Sequence, residues 1–309
     1  MKLITEHIIY TLQIPKIGKK TAFKIFKEYD EKVIKSDSDF KSFIFKISSK
    51  YDKILGNISD VSLETFILKG KEIISKSEEE GINIISYFDD DYPNNLKIQL
   101  DRPIVINYKG DLNLLNTNCL CIIGTRKSTT ESNINSFRIS EFFGNKGFNI
   151  VSGLALGCDT YAHRGALKTL GKTTAVLGSA LNKIYPKENS DLIDEIIFNG
   201  GLIVSEYFIN SKTLPSNFIV RDKLQSMISD CIIVIQSKTS GGSMYAAKHG
   251  FNSNKNIAAL NNKNDLFSGN LELIEKFSAF PLEPSKVEAF YEYLKKEFYK
   301  KTNKQLDLF

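Results

Sequence analysis

The stretch that decides the fold is CLCIIGTRKS at residues 119–128, where an unbroken apolar run passes directly into a glycine and a basic loop. A helical pattern of apolar and polar residues follows over 132–145, and a second short apolar run covers 149–151. Strand, helix and strand in this order are the repeating unit of a parallel sheet covered on both faces. The stretch therefore predicts an α/β fold with the basic loop at the end of a buried strand.

The same alternation continues along the chain. It predicts further strands at 174–177, 202–204, 231–235 and 257–260, and helices at 160–170, 189–198, 217–229 and 244–251. Two strand-like runs at 82–87 and 104–108 precede this core, and residues 1–75 have helical patterns throughout. After residue 261 the sequence becomes polar and loop-like, and an amphipathic helix follows at about 284–301. We predict a helical domain at 1–75, an α/β domain at 80–283, a helix at 284–303 and a flexible tail at 304–309.

Composition narrows the class of protein. The chain has 309 residues, a net charge of +5 and a hydrophobic fraction of 42%, as expected of a globular protein. No apolar run approaches the ~20 residues of a membrane span, and the N-terminus lacks the pattern of a signal peptide. The four cysteines form no CxxC pair and the three histidines are far apart, so neither a disulfide framework nor a zinc site is indicated. We expect a cytoplasmic protein with no metal and no cofactor.

The loop after the first strand is suited to a phosphate. Gly124 lets the backbone approach an anion closely, and the helix that follows offers free N–H groups. Arg126 adds a planar fork for two phosphate oxygens, and Lys127 adds a point charge. An ordinary strand-to-helix turn with surface charges explains the same residues, and the loop alone does not separate the two interpretations.

Two further loops have the same position after a strand. SGLALGCDT at 152–160 leads into a helix on which Asp159 and His163 share a face. We interpret Asp159 as a helix cap and His163 as a partner in a local hydrogen bond, rather than as an acid–base pair. The loop SGGS at 240–243 places small hydroxyls and bare backbone at another helix start, which suits an anion or makes a flexible loop.

A fourth candidate lies on the helix predicted at 217–229. Phe218 and Arg221 share a face of that helix, and Asp222 and Lys223 follow directly. An aromatic ring beside a cation is what a base-stacking platform needs, although such a phenylalanine is often only part of the core.

Taken together, these motifs resemble the DprA/Smf family of bacterial DNA-processing proteins, in order from about residue 81 to residue 260. The resemblance implies an extended Rossmann-like domain that binds single-stranded DNA, protects it and helps to load the RecA recombinase. Such proteins act in natural transformation (competence) and recombination, as homodimers and without catalysis. By position, Arg126 would be the main phosphate ligand and Phe218 the base-stacking candidate. The implied phosphate-binding set comprises Gly124, Thr125, Arg126, Lys127, Ser128, Ser152, Gly153, Lys187, Arg221, Lys223, Ser240, Gly241, Gly242 and Ser243.

The sequence departs from the family pattern at two of these places. The usual Arg-Asn-Arg is Arg221-Asp222-Lys223 here, so that an acidic residue stands beside the implied DNA path. The usual Ser-Gly-Ser/Thr loop is extended to Ser240-Gly-Gly-Ser243. Arg126 is therefore expected to contribute more to binding than the cluster at 221–223.

Both ends of the chain carry a further motif. The segment from residue 14 to 25 resembles a helix-hairpin-helix, whose glycine hairpin presents N–H groups to a DNA phosphate, although Lys16 stands where the first glycine is usual. Contact with duplex DNA and a purely structural role both remain open. The hairpin residues are Pro15, Ile17, Gly18, Lys19 and Lys20. The last five residues resemble the pentapeptide with which bacterial replication proteins bind the sliding clamp: Gln305, Leu306, Asp307, Leu308 and Phe309.

Two other function classes are weighed against DNA binding. Related Rossmann-like enzymes cleave nucleotide glycosidic bonds, and they resemble one another in a Pro-Gly-Gly-x-Gly-Thr loop followed by a catalytic glutamate. The counterpart here, starting at Ser240, has no glutamate, so we predict no catalytic residue. The third class is a sensor that binds a free nucleotide in the same loops.

Overall fold

The protein is described by a computed structural model over residues 1–306, with side chains described for residues 1–297. The chain begins with a helical region, in which Ser59 and Ser62 form a capping box that starts the longest helix. The apolar side chains of this region share a core with Ile104 and Val105, which lie at the start of the second strand of the following sheet. The helices of this region are α1 Leu3–Thr11, α2 Lys19–Phe26, α3 Asp37–Ile47, α4 Asp52–Leu55 and α5 Asp60–Glu79.

Nine strands in the described residues form one sheet, in the order β1-β2-β6-β5-β4-β3-β7-β8-β9. The pairs β1–β2 and β2–β6 are antiparallel, and the other neighbours are parallel. The strands are β1 Asn83–Ser86, β2 Val105–Gly110, β3 Cys119–Ile123, β4 Asn149–Ser152, β5 Thr173–Leu177, β6 Leu202–Ser205, β7 Cys231–Val234, β8 Asn256–Leu260 and β9 Phe280–Leu282.

Helices cover both faces of this sheet. α7 is capped by the Thr129 side chain, which accepts from the Ser132 N–H, and α10 has Pro215 in its first turn, where a missing N–H costs nothing. The helices are α6 Asn94–Lys97, α7 Thr130–Asn145, α8 Cys158–Leu167, α9 Ser190–Phe198, α10 Pro215–Ile228, α11 Gly242–Asn252, α12 Ser268–Lys276 and α13 Val287–Leu306. In the described part of the chain, no helix has both the length and the apolar character needed to cross a membrane.

The core explains why the central strands are continuous apolar runs. Every residue of β3 and β7 is buried, because both faces of these strands are covered. Cys121 and Ile232 face a core that includes α10 and α11, whereas Leu120 and Ile233 face the core of α7, α8 and α13. The predicted α/β class, with a mostly parallel sheet and a helical region before it, is confirmed.

Two details of the prediction are wrong. The segment after residue 261 is not a loop but contains α12 and β9. Asn270 fixes α12, since its side chain donates to the carbonyls of Val234, Ile235 and Leu260 and accepts from the Ser237 N–H, a set of tertiary bonds that no local pattern reveals. β9 holds Pro281 and lies at the edge of the sheet, where a proline is tolerated. The helical region also runs to Glu79 rather than to residue 75; the division into domains stays a prediction.

The position of the functional loops follows from the strand order. Strands β3, β4, β5 and β6 extend to one side of β3, and β7, β8 and β9 extend to the other. The order therefore reverses between β3 and β7, and in open α/β sheets ligands bind outside the carboxyl ends of the strands at such a point. The loops that follow β3 and β7 lie there.

Candidate nucleic-acid interface

A cavity of about 630 Å³ opens between the loops after β3 and β7, the side of α10 and the start of α11. We call it the central cavity. Its volume lies in the range of small-molecule sites, roughly 300–1,000 Å³. The residues that line it include Gly124, Thr125, Arg126, Lys127, Asp159, Phe218, Arg221, Asp222, Gln225, Gln236, Lys238, Ser240, Gly241, Gly242 and Ser243.

The loop after β3 is fixed by Gln236, which follows β7. The Thr125 N–H donates to the Gln236 carbonyl at 2.8 Å, and the Thr129 N–H donates to its side-chain oxygen at 3.0 Å. A side chain at Gly124 would collide with the Cys158 sulfur, so only glycine fits between this loop and α8. The backbone is thus held firmly, while Arg126 and Lys127 stay exposed at the mouth of the central cavity.

Arg126 lies over the ring of Phe218. The guanidinium carbon is 5.2 Å from the ring centroid, a cation–π distance, and the Tyr185 ring lies 5.5 Å away on another side of Phe218. Arg126, Phe218 and Tyr185 also line a smaller pocket of about 150 Å³, which Gly153 and Leu156 complete. Phe218 therefore forms a wall between the two depressions.

The loop after β7 lies on the opposite side of the central cavity, where its glycines expose backbone without side chains. Gly241 has φ of 126°, a conformation that favours glycine, and it precedes α11 without a side-chain cap. The first N–H groups of a helix lack partners within the helix, and the start of α11 lines the central cavity. Lys238 is exposed on the same loop and lines the cavity as well. Lys238 was not among the residues predicted from the sequence, although its place just after a buried strand is the same signal that indicates Arg126.

The floor of the central cavity is an ion-paired trio. Arg221 Nη1 lies 3.4 Å from Asp159 Oδ2, and Arg221 Nε lies 3.1 Å from Asp222 Oδ1. The Arg221 and Asp159 side chains are 6% and 4% exposed, and that of Asp222 is 9% exposed. Two carboxylates thus form ion pairs with one buried guanidinium. The expectation that Arg221 is a phosphate ligand is corrected, because its charge is already compensated inside the protein.

Burial shifts the titration of the two carboxyl groups in this trio. Burial raises the pKa of the Asp222 carboxyl to about 6, against the opposing effect of Arg221, and burial also raises the pKa of Asp159. The N–H groups of Gly153 and Ala155 donate to Asp159, which therefore fixes the loop before α8. The expectation that Asp159 caps its own helix is wrong, since Gly157 occupies that position.

The predicted role of His163 as a partner in a local hydrogen bond is confirmed. Its Nδ1 lies 2.7 Å from the Thr173 hydroxyl, and burial lowers its pKa to about 3, so the ring is neutral at neutral pH. These properties agree with the interpretation of His163 as a partner in a local hydrogen bond rather than as half of an acid–base pair.

Gly153 makes room for the trio. A methyl group at this position would overlap Arg221 Nη1 and approach the Asp159 carboxylate. Gly153 is thus needed for the close approach of a buried side chain, and it lines the smaller pocket rather than the central cavity.

Gln225 also lines the central cavity, although it was not among the residues predicted from the sequence. It lies three residues after Asp222 on α10 and is fully buried. Neither its side-chain oxygen nor its side-chain nitrogen has a hydrogen-bond partner among the described residues. Sequence gives no signal for it, because a glutamine on a helix is more often exposed.

The structure gathers most of the predicted phosphate-binding residues and leaves five outside, one of which is Gly153 in the smaller pocket. Ser152 is buried with its hydroxyl donating to the Ile122 carbonyl at 2.7 Å, and Ser128 donates to Asn133. Lys187 is exposed beside Pro186, outside the central cavity. Lys223 lies on the other side of α10, where it pairs with Asp101 at 2.5 Å. The assignments of Ser152 and Lys223 are corrected for these reasons. The residues gathered at the cavity are Gly124, Thr125, Arg126, Lys127, Arg221, Ser240, Gly241, Gly242 and Ser243.

The predicted hairpin lies away from this cavity. Lys16 has φ of 67°, the left-handed conformation that a glycine usually supplies, and Gly18 precedes α2. Ile17 is buried, Lys19 pairs with Glu206, and Lys20 lies 3.9 Å from Asp101. Pro15 is exposed. The hairpin contacts the loop before β2 through Lys20 and the loop after β6 through Lys19, and its contact with DNA stays a prediction. Of the predicted clamp-binding motif, Asp307, Leu308 and Phe309 lie outside the described residues, as do the side chains of Gln305 and Leu306.

The sequence model of the family DNA recombination-mediator protein A matches residues 83–294. Among curated proteins, protein Smf of Synechocystis sp. is 32% identical over 199 residues, which cover 63% of this chain and 50% of that protein. The DNA processing protein DprA of Streptococcus pneumoniae is 29% identical over 265 residues, or 83% of this chain and 87% of that protein.

Solved structures agree with these matches. The X-ray structure of DNA processing protein A from Streptococcus pneumoniae superposes with a TM-score of 0.75 at 26% identity, over 94% of this chain and 98% of that one. DNA processing protein A from Helicobacter pylori, for which a single-stranded DNA binding mode is described, gives a TM-score of 0.63 at 30% identity. That match covers 70% of this chain and 96% of the Helicobacter pylori chain.

Proposed function

The chain belongs to the family of DNA recombination-mediator protein A, and from this membership and the central cavity we propose that it binds single-stranded DNA without catalysing a reaction on it. It is accordingly a DNA processing protein. The observation that carries the proposal is the mouth of the central cavity, where Arg126, Lys127 and Lys238 stand around the bare backbone at the start of α11. Cations and free N–H groups at one edge are the groups that bind successive phosphates.

The geometry supports different roles for the mouth and the floor of the central cavity. The exposed cations of the mouth neutralise the backbone of the strand, and the half-buried ring of Phe218 offers a surface for a base. Arg221 lies in the floor of the cavity, where it pairs with Asp159 and Asp222 rather than facing solvent. Its role is therefore to position these two carboxylates. Gly124, Thr125 and Ser240 to Ser243 supply the close backbone.

The experiment that tests this proposal compares single-stranded with duplex DNA. Fluorescence anisotropy with labelled oligo-dT, and with the same length of duplex, is measured over a salt series. We expect tighter binding of the single strand and an affinity that falls linearly with salt on a double-logarithmic plot, since neutralised phosphates release counterions. Absence of binding to oligo-dT in dilute buffer contradicts the proposal.

Membership of the family supports two finer proposals. The first is that the protein protects incoming or exposed single strands and helps to load RecA in the cytoplasm, in transformation and recombination. Its test is RecA filament formation on DNA coated with a single-strand-binding protein, with and without this protein. The second is that the protein is a homodimer, which light scattering after size-exclusion chromatography tests. A RecA rate that does not change, or the mass of a monomer, contradicts the respective proposal.

The C-terminal pentapeptide supports a further partner. Gln305 to Phe309 combine a glutamine with two final apolar residues, a pattern that suits insertion into an apolar pocket of the replication sliding clamp. We therefore include the clamp among the proposed partners.

A second candidate function is binding or glycosidic cleavage of a free nucleotide. The observation that favours it is the presence of two carboxylates, Asp159 and Asp222, in the floor of the central cavity, since a carboxyl with a raised pKa can act as a general acid. Incubation with nucleoside monophosphates tests it. Released base would identify an enzyme, and competition between mononucleotides and oligo-dT without release would identify a sensor.

A further inference from the structure

The buried amide of Gln225 has unsatisfied hydrogen-bonding groups at the wall of the central cavity. Its side chain is 0% exposed, and its Nε2 and Oε1 atoms have no partner in the described part of the chain. Leaving such a group unpaired is costly in a folded protein, and native proteins rarely do so without a water, an ion or a ligand. Gln225 therefore indicates that a hydrogen-bonding group of a ligand binds at this depth.

Asp222 presents an acceptor close to the same place. Its Oδ1 lies 3.1 Å from Arg221 Nε, whereas its Oδ2 lies against Gly242 at the position that a side chain there would fill. Only a glycine at position 242 leaves room for this oxygen beside the start of α11. Asp222 and Gln225 are three residues apart on α10, so both project from one side of the helix toward the cavity.

The charge of the floor disfavours a phosphate. When both carboxylates are ionised, Asp159, Arg221 and Asp222 together carry one net negative charge. The exposed cations around the cavity stand at its mouth, on Arg126, Lys127 and Lys238. A strand whose backbone binds at the mouth can therefore direct a base, and not a phosphate, toward the floor. Single-stranded nucleic acids are commonly recognised by hydrogen bonds to the Watson–Crick edges of bases that point away from the backbone.

The donors and acceptors of the floor match one base. Guanine has the acceptor O6 beside two adjacent donors, N1–H and N2–H, whereas adenine, cytosine and thymine each lack two adjacent donors on this edge. A carboxylate accepts from two adjacent donors, and an amide nitrogen donates to a carbonyl oxygen. We propose that the floor of the central cavity binds the Watson–Crick edge of one guanine of the bound strand, with Asp222 accepting from N1–H and N2–H and Gln225 donating to O6. This inference rests on the proposed single-strand binding.

The test is a set of labelled oligo-dT strands that differ in one central nucleotide, dG, dA, dC or dT. Fluorescence anisotropy gives the affinity of the wild-type protein, of Asp222→Asn and of Gln225→Met for each strand. We expect the wild type to prefer the strand with dG by about tenfold, the size of discrimination by one well-placed pair of hydrogen bonds. Asp222→Asn should reduce this preference to within about twofold. The matched control is Asp191→Asn, an exposed carboxylate on α9 outside the central cavity, which should keep the preference.

The outcomes separate this inference from the proposed function. Equal affinity of the wild type for all four strands overturns the guanine site and leaves single-strand binding intact, whereas no binding to any strand overturns the proposed function itself. A full preference in Gln225→Met means that a buried water satisfies the amide, and it overturns the role of Gln225. If free dGMP binds more tightly than the strand with dG, the floor binds a free nucleotide, and the proposal that the guanine belongs to a bound strand is contradicted. Thermal unfolding of each variant establishes that it is folded.

Discussion

The guanidinium carbon of Arg126 lies 5.2 Å from the ring centroid of Phe218, although one residue belongs to the loop after β3 and the other to α10. The contact joins the two sides of the central cavity at its mouth. It holds a cation and an aromatic ring, the two groups that bind the phosphates and the bases of a single strand, next to each other.

Replacement of Arg126 by glutamine should weaken the binding of oligo-dT by roughly tenfold to a hundredfold, the value of one charge-assisted hydrogen bond. The salt slope should also fall by about 0.7, since one fewer phosphate of a single strand is neutralised. Fluorescence anisotropy over a salt series measures both quantities. Arg138→Gln is the control, because Arg138 is an exposed arginine on α7 outside the cavity. Equal losses in the two variants would show that only net charge matters.

Replacement of Arg221 by glutamine should act mainly on stability. It leaves Asp159 and Asp222 buried without their cation, and the loss of one partner of a buried ion pair costs about 3–5 kcal/mol. Denaturant unfolding at pH 7.5 measures the free energy of unfolding. A variant with the stability of the wild type and no affinity for oligo-dT would instead make Arg221 a direct phosphate ligand.

The affinity for oligo-dT should rise as the pH falls from 7.5 to 5. Burial raises the pKa of Asp222 to about 6, with Arg221, Asp159 and Arg126 as the charged groups that act on it. Below that pH the carboxyl takes up a proton and loses its negative charge, while the phosphates of the strand stay ionised. Repulsion beside Arg126 therefore decreases. Anisotropy titrations at several pH values measure the effect, and Asp222→Asn should remove the part of it that is centred near pH 6.

Deletion of residues 305–309 should abolish capture of the protein by immobilised sliding clamp. The affinity for oligo-dT should stay unchanged, because the central cavity is formed by other parts of the chain. Double substitution of Leu308 and Phe309 by alanine provides a version that keeps the chain length. Capture that is equal with and without the pentapeptide would remove the clamp from the proposed partners.

The sequence predicts the sheet well and the floor of the site poorly. The strands at residues 119–123 and 231–234 are continuous apolar runs followed by glycine or polar loops, so their positions and the loops at their ends follow from local pattern. The pairing of Arg221 with Asp159 joins residues 62 positions apart, and no local pattern contains it. Helical spacing places Phe218 and Arg221 together, but it does not show that Lys223 faces away from the central cavity and pairs with Asp101. The burial of Gln225 likewise depends on what packs around α10.

The absence of a side chain at position 153 has a consequence for how this protein can diverge. Because Arg221 occupies the volume that a methyl group on Gly153 would need, the two positions form one evolutionary unit. A descendant that acquires alanine or serine at 153 is expected to have lost the arginine first, and with it one of the two acids. Substitutions of Gly153, Arg221 and the lost acid should therefore occur together. Reconstructed ancestors that carry only some of these substitutions are expected to fold poorly.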